Sequence, residues 1–169
     1  MVKEKVLDLA NHINRSKRGT PGEILAGDPE YMILEPIVND DMAEVGQHLI
    51  LRKAQSADEV AAKCGRSVEE TAQILWDLAV AGVCFVNTID GVDKYWLDTW
   101  VPGCMEMIIN NKENVKKFPQ LGAAFDAYGR VRGPRTAGNF PVGIGLMRVI
   151  PIETAIEGES RRASYEEVS

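Results

Sequence analysis

The 169-residue sequence predicts a mainly helical chain with one small β-hairpin. Three observations predict it. Ser or Asn caps followed by acids recur as helix starts, apolar residues between them recur at helical spacing, and the period shifts to that of strands only around Asp90-Gly91.

The elements follow in order. Val2, Val6, Leu9 and Ile13 place a short amphipathic helix over residues 2–13, and a basic Gly/Pro-containing linker with Arg15, Lys17 and Arg18 follows. Residues 1–28 therefore read as an N-terminal helix and linker. Asn39-Asp40-Asp41 supplies a cap and early acids, which the helix dipole favours, ahead of Met42, Val45, Leu49 and Ile50. Two capping boxes come next, Ser56-Ala57-Asp58-Glu59 and Ser67-Val68-Glu69-Glu70, with Gly65 between them to end the first helix in the left-handed conformation. The second helix carries Val68, Ala72, Leu75, Trp76 and Ala79 on its apolar side and stops at Gly82. Val83–Ile89 and Val92–Leu97 read as strands across an Asp90-Gly91 turn. Helix, helix-turn-helix and hairpin in this order make residues 29–101 a winged helix-turn-helix. Pro102 opens a helix through Met105, Ile108 and Ile109, and Pro119 opens another through Leu121, Ala124, Phe125 and Tyr128, so 102–132 is a helical extension. Gly129–Gly145 reads as a loop, Leu146–Ile152 as a short edge strand, and 133–169 as an extended tail. Ser164-Tyr165-Glu166-Glu167 is a third capping box. It announces a helix that Ser169 cuts short, and the expectation is a fragment cut where a downstream region begins.

Charge argues against the usual role of a winged helix. The chain holds 19 Lys plus Arg and 25 Asp plus Glu, a net of −6. Between Asp28 and Pro102 there are five bases and fourteen acids, so the segment nets 5 − 14 = −9. The would-be recognition helix, residues 67–81, contains Glu69, Glu70 and Asp77 and no Lys or Arg. Each phosphate contact needs a cation, so DNA binding is disfavoured. No apolar run spans a bilayer, and residues 1–20 lack the apolar core of a signal peptide. Cys64, Cys84 and Cys104 are odd in number and share no CxxC pair, which fits reduced thiols in the cytoplasm acting as small buried hydrophobes. Their spacing holds no metal cluster within this chain.

No catalytic, cofactor-binding or metal-ligating residue stands out. His12 and His48 neighbour no nucleophile motif, no phosphate loop is present, and helix capping explains the paired acids. From Lys112 onward nine bases meet seven acids, and Arg130, Arg132 and Arg135 crowd one stretch. That basic arm grips the chain's own acidic body, grips a partner's carboxylates or phosphate, or is a solvated stretch. Arg148, Trp96 and Trp100 complete the candidate partner interface. Trp96, Trp100, Met105 and Met107 also offer a face for self-association.

Tyr95-Trp96-Leu97 leading into Trp100-Val101-Pro102-Gly103, then Met147–Ile156 (MRVIPIETAI) and Ala163–Val168 (ASYEEV), resembles the N-terminal region of a family of anaerobe 4Fe–4S ferredoxin-type proteins, some fused to a flavin- and nicotinamide-dependent oxidoreductase. The resemblance covers most of residues 29–169. In that family cysteine-rich cluster-binding segments follow the YEEV helix start, so a [4Fe–4S] cluster is implied only for a downstream continuation, and no ligand maps onto this chain. The resemblance implies a non-catalytic accessory domain of a cytoplasmic electron-transfer protein, which docks on the downstream ferredoxin-type domain or a redox partner. A DNA-binding regulator and a self-associating scaffold, such as a homodimer, are the alternatives.

Overall fold

A computed structural model of the chain describes residues 2–15 and 22–138, and side chains as far as Arg132. Met1–Pro134 form one unit and Arg135–Ser169 a second. The chain is mainly helical with a three-stranded antiparallel sheet. The helices are α1 (Glu4–Asn14), α2 (Pro29–Leu34), α3 (Asp40–Gly46), α4 (Ala57–Cys64), α5 (Val68–Val80), α6 (Met105–Asn110), α7 (Lys112–Lys117) and α8 (Gln120–Gly138). The strands are β1 (Gln55–Ser56), β2 (Phe85–Ile89) and β3 (Val92–Trp96), in the order β1-β3-β2.

Helix α1 buries Val6, Leu9, Ala10 and Ile13, the predicted stripe without exposed Val2. It packs on α3, where Gly46 allows close approach: a Cβ there would stand 3.1 Å from Leu9 Cδ1. Its polar residues fasten loops. The Asn11 amide accepts from Ile24 N and donates to Ile24 O, closing the linker like one rung of a ladder. His12 Nε2 lies 2.7 Å from Leu49 O, and a carbonyl only accepts, so the proton sits on Nε2. Val6, Leu9, Ala10 and Ile13 of this helix share one core with residues of the 29–101 segment.

The helix-turn-helix forms as its caps dictate. Asn39 accepts from Met42 N at the start of α3. Gly65 closes α4 at φ 70°, the left-handed cap. Asp90 and Gly91 both have positive φ, 52° and 76°, as the tight hairpin requires. The register sets Phe85 opposite Trp96, and their rings stack with centroids 5.8 Å apart. Gly82 ends α5 at φ +80°, where a Cβ would meet the Ile108 nitrogen at 2.8 Å, so α6 runs against bare backbone there.

Several expectations need correction. The buried face of α5 is Thr71, Leu75 and Leu78, whereas Val68 and Trp76 face outward at 45% and 49% exposure. The core side begins with a threonine, so apolarity alone points to the wrong stripe. Pro102 does not start a helix: its ψ of 137° is extended, and helical geometry begins at Met105. The Glu106 carboxylate accepts from Gly103 N and braces that start. Residues 129–138 are helical, not looped; Ala124, Phe125 and Tyr128 seat the helix on the core, and it runs on through Gly129 and Gly133. Two short helices escaped the sequence reading. Pro29 stands at the N-terminal turn of α2 behind Asp28, and Asn111 caps α7 by accepting from Glu113 N and Asn114 N. The strand at 146–152 and the capping box at 164–167 lie outside the described residues.

Candidate functional site

The outer surface of the helix-turn-helix is built around one arginine. Arg66 occupies the turn between α4 and α5. Its Nη2 donates to Asp41 Oδ1 at 2.7 Å and to Glu44 Oε1 at 3.4 Å, and its Nη1 donates to Glu70. These hydrogen bonds, led by that to Asp41, raise the guanidinium pKa above its ordinary value. Lys5 joins the network from α1 by donating to Glu44, which holds that carboxylate below the usual range. The network alters the second capping box. Ser67 accepts from Glu70 N as the sequence predicts, but the Glu70 carboxylate is taken by Arg66 instead of reaching back to the cap. In the first box Glu59 does reach back and accepts from Ser56 N at 2.7 Å.

Beyond Arg66, α5 presents a continuous outward stripe. Glu69, Gln73, Trp76 and Val80 follow at i, i+4, i+7 and i+11, all exposed. Asp77 lies beside them and accepts from Gln73 Nε2 at 2.9 Å. Trp76 is half exposed and Val80 is 56% exposed, while the helix contains no cation. The C-terminal end of α5 abuts the start of α7. Asn111 Nδ2 donates to Val80 O at 2.6 Å and Asn114 Nδ2 to Ala81 O at 2.9 Å. Helix α7 buries none of its residues and carries Lys112, Lys116 and Lys117 against Glu113 alone.

The arginines singled out in the sequence are not brought together. Arg130 is exposed and pairs with Asp126 one turn back on α8. Arg132 is buried and grips Glu30 with two parallel bonds, Nε to Oε1 at 2.7 Å and Nη2 to Oε2 at 2.8 Å, with Asp28 at 3.6 Å. Glu30 is fully buried. Of the three sequence alternatives for this arm, Arg132 takes the first: it clamps the chain's own acidic body, joining α8 to α2. Burial pushes the adjoining Tyr128 hydroxyl up to about 12. The side chain of Arg135 and all of Arg148 lie outside the described residues.

The tryptophans divide as well. Trp96 is half-buried on Phe85. Trp100 is 3% exposed and offers no surface to a partner. Its indole N–H has no hydrogen-bond partner among the described residues. Met105 is buried too, and of that proposed face Met107 is exposed, at 45%. The exposed tryptophan that the sequence reading placed inside is Trp76. A strict test of the 71–75–78 spacing, with Thr71 admitted to the core, is the signal that finds it.

The thiols behave as packing groups. Cys84 and Cys104 are buried, and desolvation pushes Cys84 up to about 12 and raises Cys104 as well. Cys64 is half-buried, with Sγ near Ala61 O and Thr71 Oγ1. Among the described residues no three His, Cys, Asp or Glu side chains are grouped to hold a metal ion. No described helix is long and apolar enough to cross a membrane. No family model, curated protein or solved structure matches the chain.

Proposed function

We propose that this chain is a winged-helix module that docks protein rather than DNA. It serves as the non-catalytic accessory part of a cytoplasmic 4Fe–4S electron-transfer protein, as the resemblance of its 95–103, 147–156 and 163–168 segments implies. The observation that carries the docking part is the outward stripe of α5. In a DNA reader this helix enters the major groove and its flanks meet phosphate. Here the stripe offers Glu69, Asp77, Trp76 and Val80 and no Lys or Arg. A half-exposed tryptophan beside an exposed valine is the kind of anchor that supplies most of the binding energy at protein interfaces, and the flanking carboxylates disfavour phosphate. The wing tip, Asp90 to Asp93, is acidic as well.

Two measurements test the two parts separately. A gel shift with mixed-sequence duplex DNA at low salt is expected to show no complex; a complex whose affinity falls steeply with salt would identify a DNA-binding regulator instead. The native gene product is expected to have a mass well above 18.6 kDa and to contain iron and acid-labile sulfide. A native mass of 18.6 kDa with neither would remove the iron–sulfur assignment and leave the docking module.

A further inference from the structure

We infer that the acidic–apolar face of α5 is a self-recognition surface, and that its partner is the basic α7 of a second copy of this chain. The inference rests on reading α5 as a protein-facing helix. It goes further by naming the occupant.

Complementarity is the first ground. The stripe on α5 carries Glu69 and Asp77 around Trp76 and Val80. Glu70 is already neutralised by Arg66, so the unsatisfied negative charge lies along the stripe itself. Helix α7 carries three lysines and one glutamate, and Val115 among them is 40% exposed. Glu113 pairs with Lys116 at 2.9 Å, which leaves Lys112 and Lys117 as the net charge around Val115, opposite in sign to Glu69 and Asp77 on α5.

Adjacency is the second ground. The two Asn-to-carbonyl bonds tie α7 directly to the end of α5. Surfaces of opposite character, side by side on one molecule, are self-complementary under a two-fold axis. The axis sets α5 of each copy against α7 of the other, so both contacts form twice in one closed pair. Met107 stands at the junction, since the Gly82 approach places its backbone against the end of α5. Its exposed side chain adds apolar area where the copies meet. A stripe on a 13-residue helix is about 20 Å long and about 10 Å wide, so the two symmetric contacts cover about 400 Å² per partner, short of the roughly 800 Å² of a standard-size interface. The pairing is therefore reversible and concentration-dependent. Exposed charges set its register and salt sensitivity, while Trp76 supplies most of its strength.

Analytical ultracentrifugation of the purified chain from micromolar to millimolar concentration tests this. The expected result is a mass that rises from 18.6 kDa toward twice that value, less steeply at high ionic strength. Trp76→Ala, an exposed position, weakens association about tenfold or more with the circular dichroism spectrum unchanged. The decisive test is charge exchange. A Glu69→Lys/Asp77→Lys variant and a Lys112→Glu/Lys116→Glu variant are each expected to be monomeric and folded. Mixed in equal amounts they pair again, because α5 and α7 then match in both contacts. A wild-type chain that stays monomeric at millimolar concentration overturns the inference, as does failure of the folded variants to pair on mixing. Either result, with no DNA complex in the gel shift, leaves the docking reading standing and removes only the second copy as occupant.

Discussion

Arg66 and Arg132 each gather carboxylates from helices distant in sequence, yet they hold the molecule together in different ways. Arg66 sits at the surface with three partners, two of them more than half exposed: Asp41 at 63% and Glu70 at 51%. Arg132 grips Glu30, whose side chain is 0% exposed, by two parallel bonds, with Asp28 at 3.6 Å beside it. In water an ion pair contributes little, since solvent screens it and ordering long side chains costs entropy. In the interior the same pair is costly to make and far more costly to break by halves, because removing one partner strands the other's charge. Burial of the partners therefore decides what each arginine contributes. The buried bidentate pair locks α8 to α2, while the surface cluster ties α3 to the α4–α5 turn.

The largest expected effect comes from splitting the buried pair. Arg132→Met leaves Glu30 buried without its guanidinium and is expected to cost about 3–5 kcal/mol in urea unfolding. The double variant Glu30→Met/Arg132→Met is expected to recover most of that loss, because a matched apolar pair has no stranded charge. Equal destabilisation by the single and double variants would show that the pair acts by packing alone. That outcome would erase the distinction between the two arginines.

A seam without charges provides the control. Gly82→Ala puts a Cβ 2.8 Å from the Ile108 nitrogen at a φ of +80°, so it strains both the backbone and the α5–α6 contact. The expected loss is about 2 kcal/mol, independent of salt and pH. A salt-dependent loss would mean that the charged helices α5 and α7 shift with it.

Much of this was legible in the sequence, and the failures share a cause. Asn39, Ser56, Ser67, Gly65 and Asp90-Gly91 act through bonds within a few residues, so reading them needs no tertiary knowledge. What was not legible depends on partners far along the chain. Arg132 looks like its exposed neighbour Arg130 until Glu30, 102 positions away, is brought against it. Trp76 looks like a core residue until Thr71 takes the inner position. Glu70 looks committed to its cap until Arg66 competes for it. Helix α8 hid because Gly129, Gly133 and Pro134 suggest a loop, while packing of Leu121, Ala124 and Tyr128 decides otherwise.

The two capping boxes sharpen the comparison at smaller energies. Ser56→Ala is expected to cost about 1 kcal/mol at neutral pH. The effect depends on pH through Glu59, whose pKa is held below the ordinary 4.5 by the Ser56 N–H first and by the Ser56 hydroxyl second, and the substitution removes the hydroxyl's share. A depressed carboxylate pKa contributes stability that is complete above 4.5 and disappears as pH falls through the folded value. The gap between wild type and Ser56→Ala should narrow below pH 4.5; a gap constant down to pH 2 would mean that the hydroxyl acts without the carboxylate.

The smallest effect is expected at Arg66, for a reason peculiar to its position. Arg66→Gln removes three surface ion pairs, each worth little and all screened by salt. It also releases Glu70, three residues after the Ser67 cap and free to reach back to the Ser67 N–H as Glu59 does to Ser56. The lost pairs and the completed box oppose each other, so the net change should stay under about 1 kcal/mol and shrink further at high salt. Arg66→Gln/Glu70→Gln separates the two terms: a glutamine closes the box without the charge that favours a helix N-terminus. If the double variant is clearly less stable than Arg66→Gln, the released carboxylate is being used at the cap. If the two are equal, Glu70 stays in solvent, and what Arg66→Gln loses is the wild-type link from Arg66 to Asp41 and Glu44 on α3.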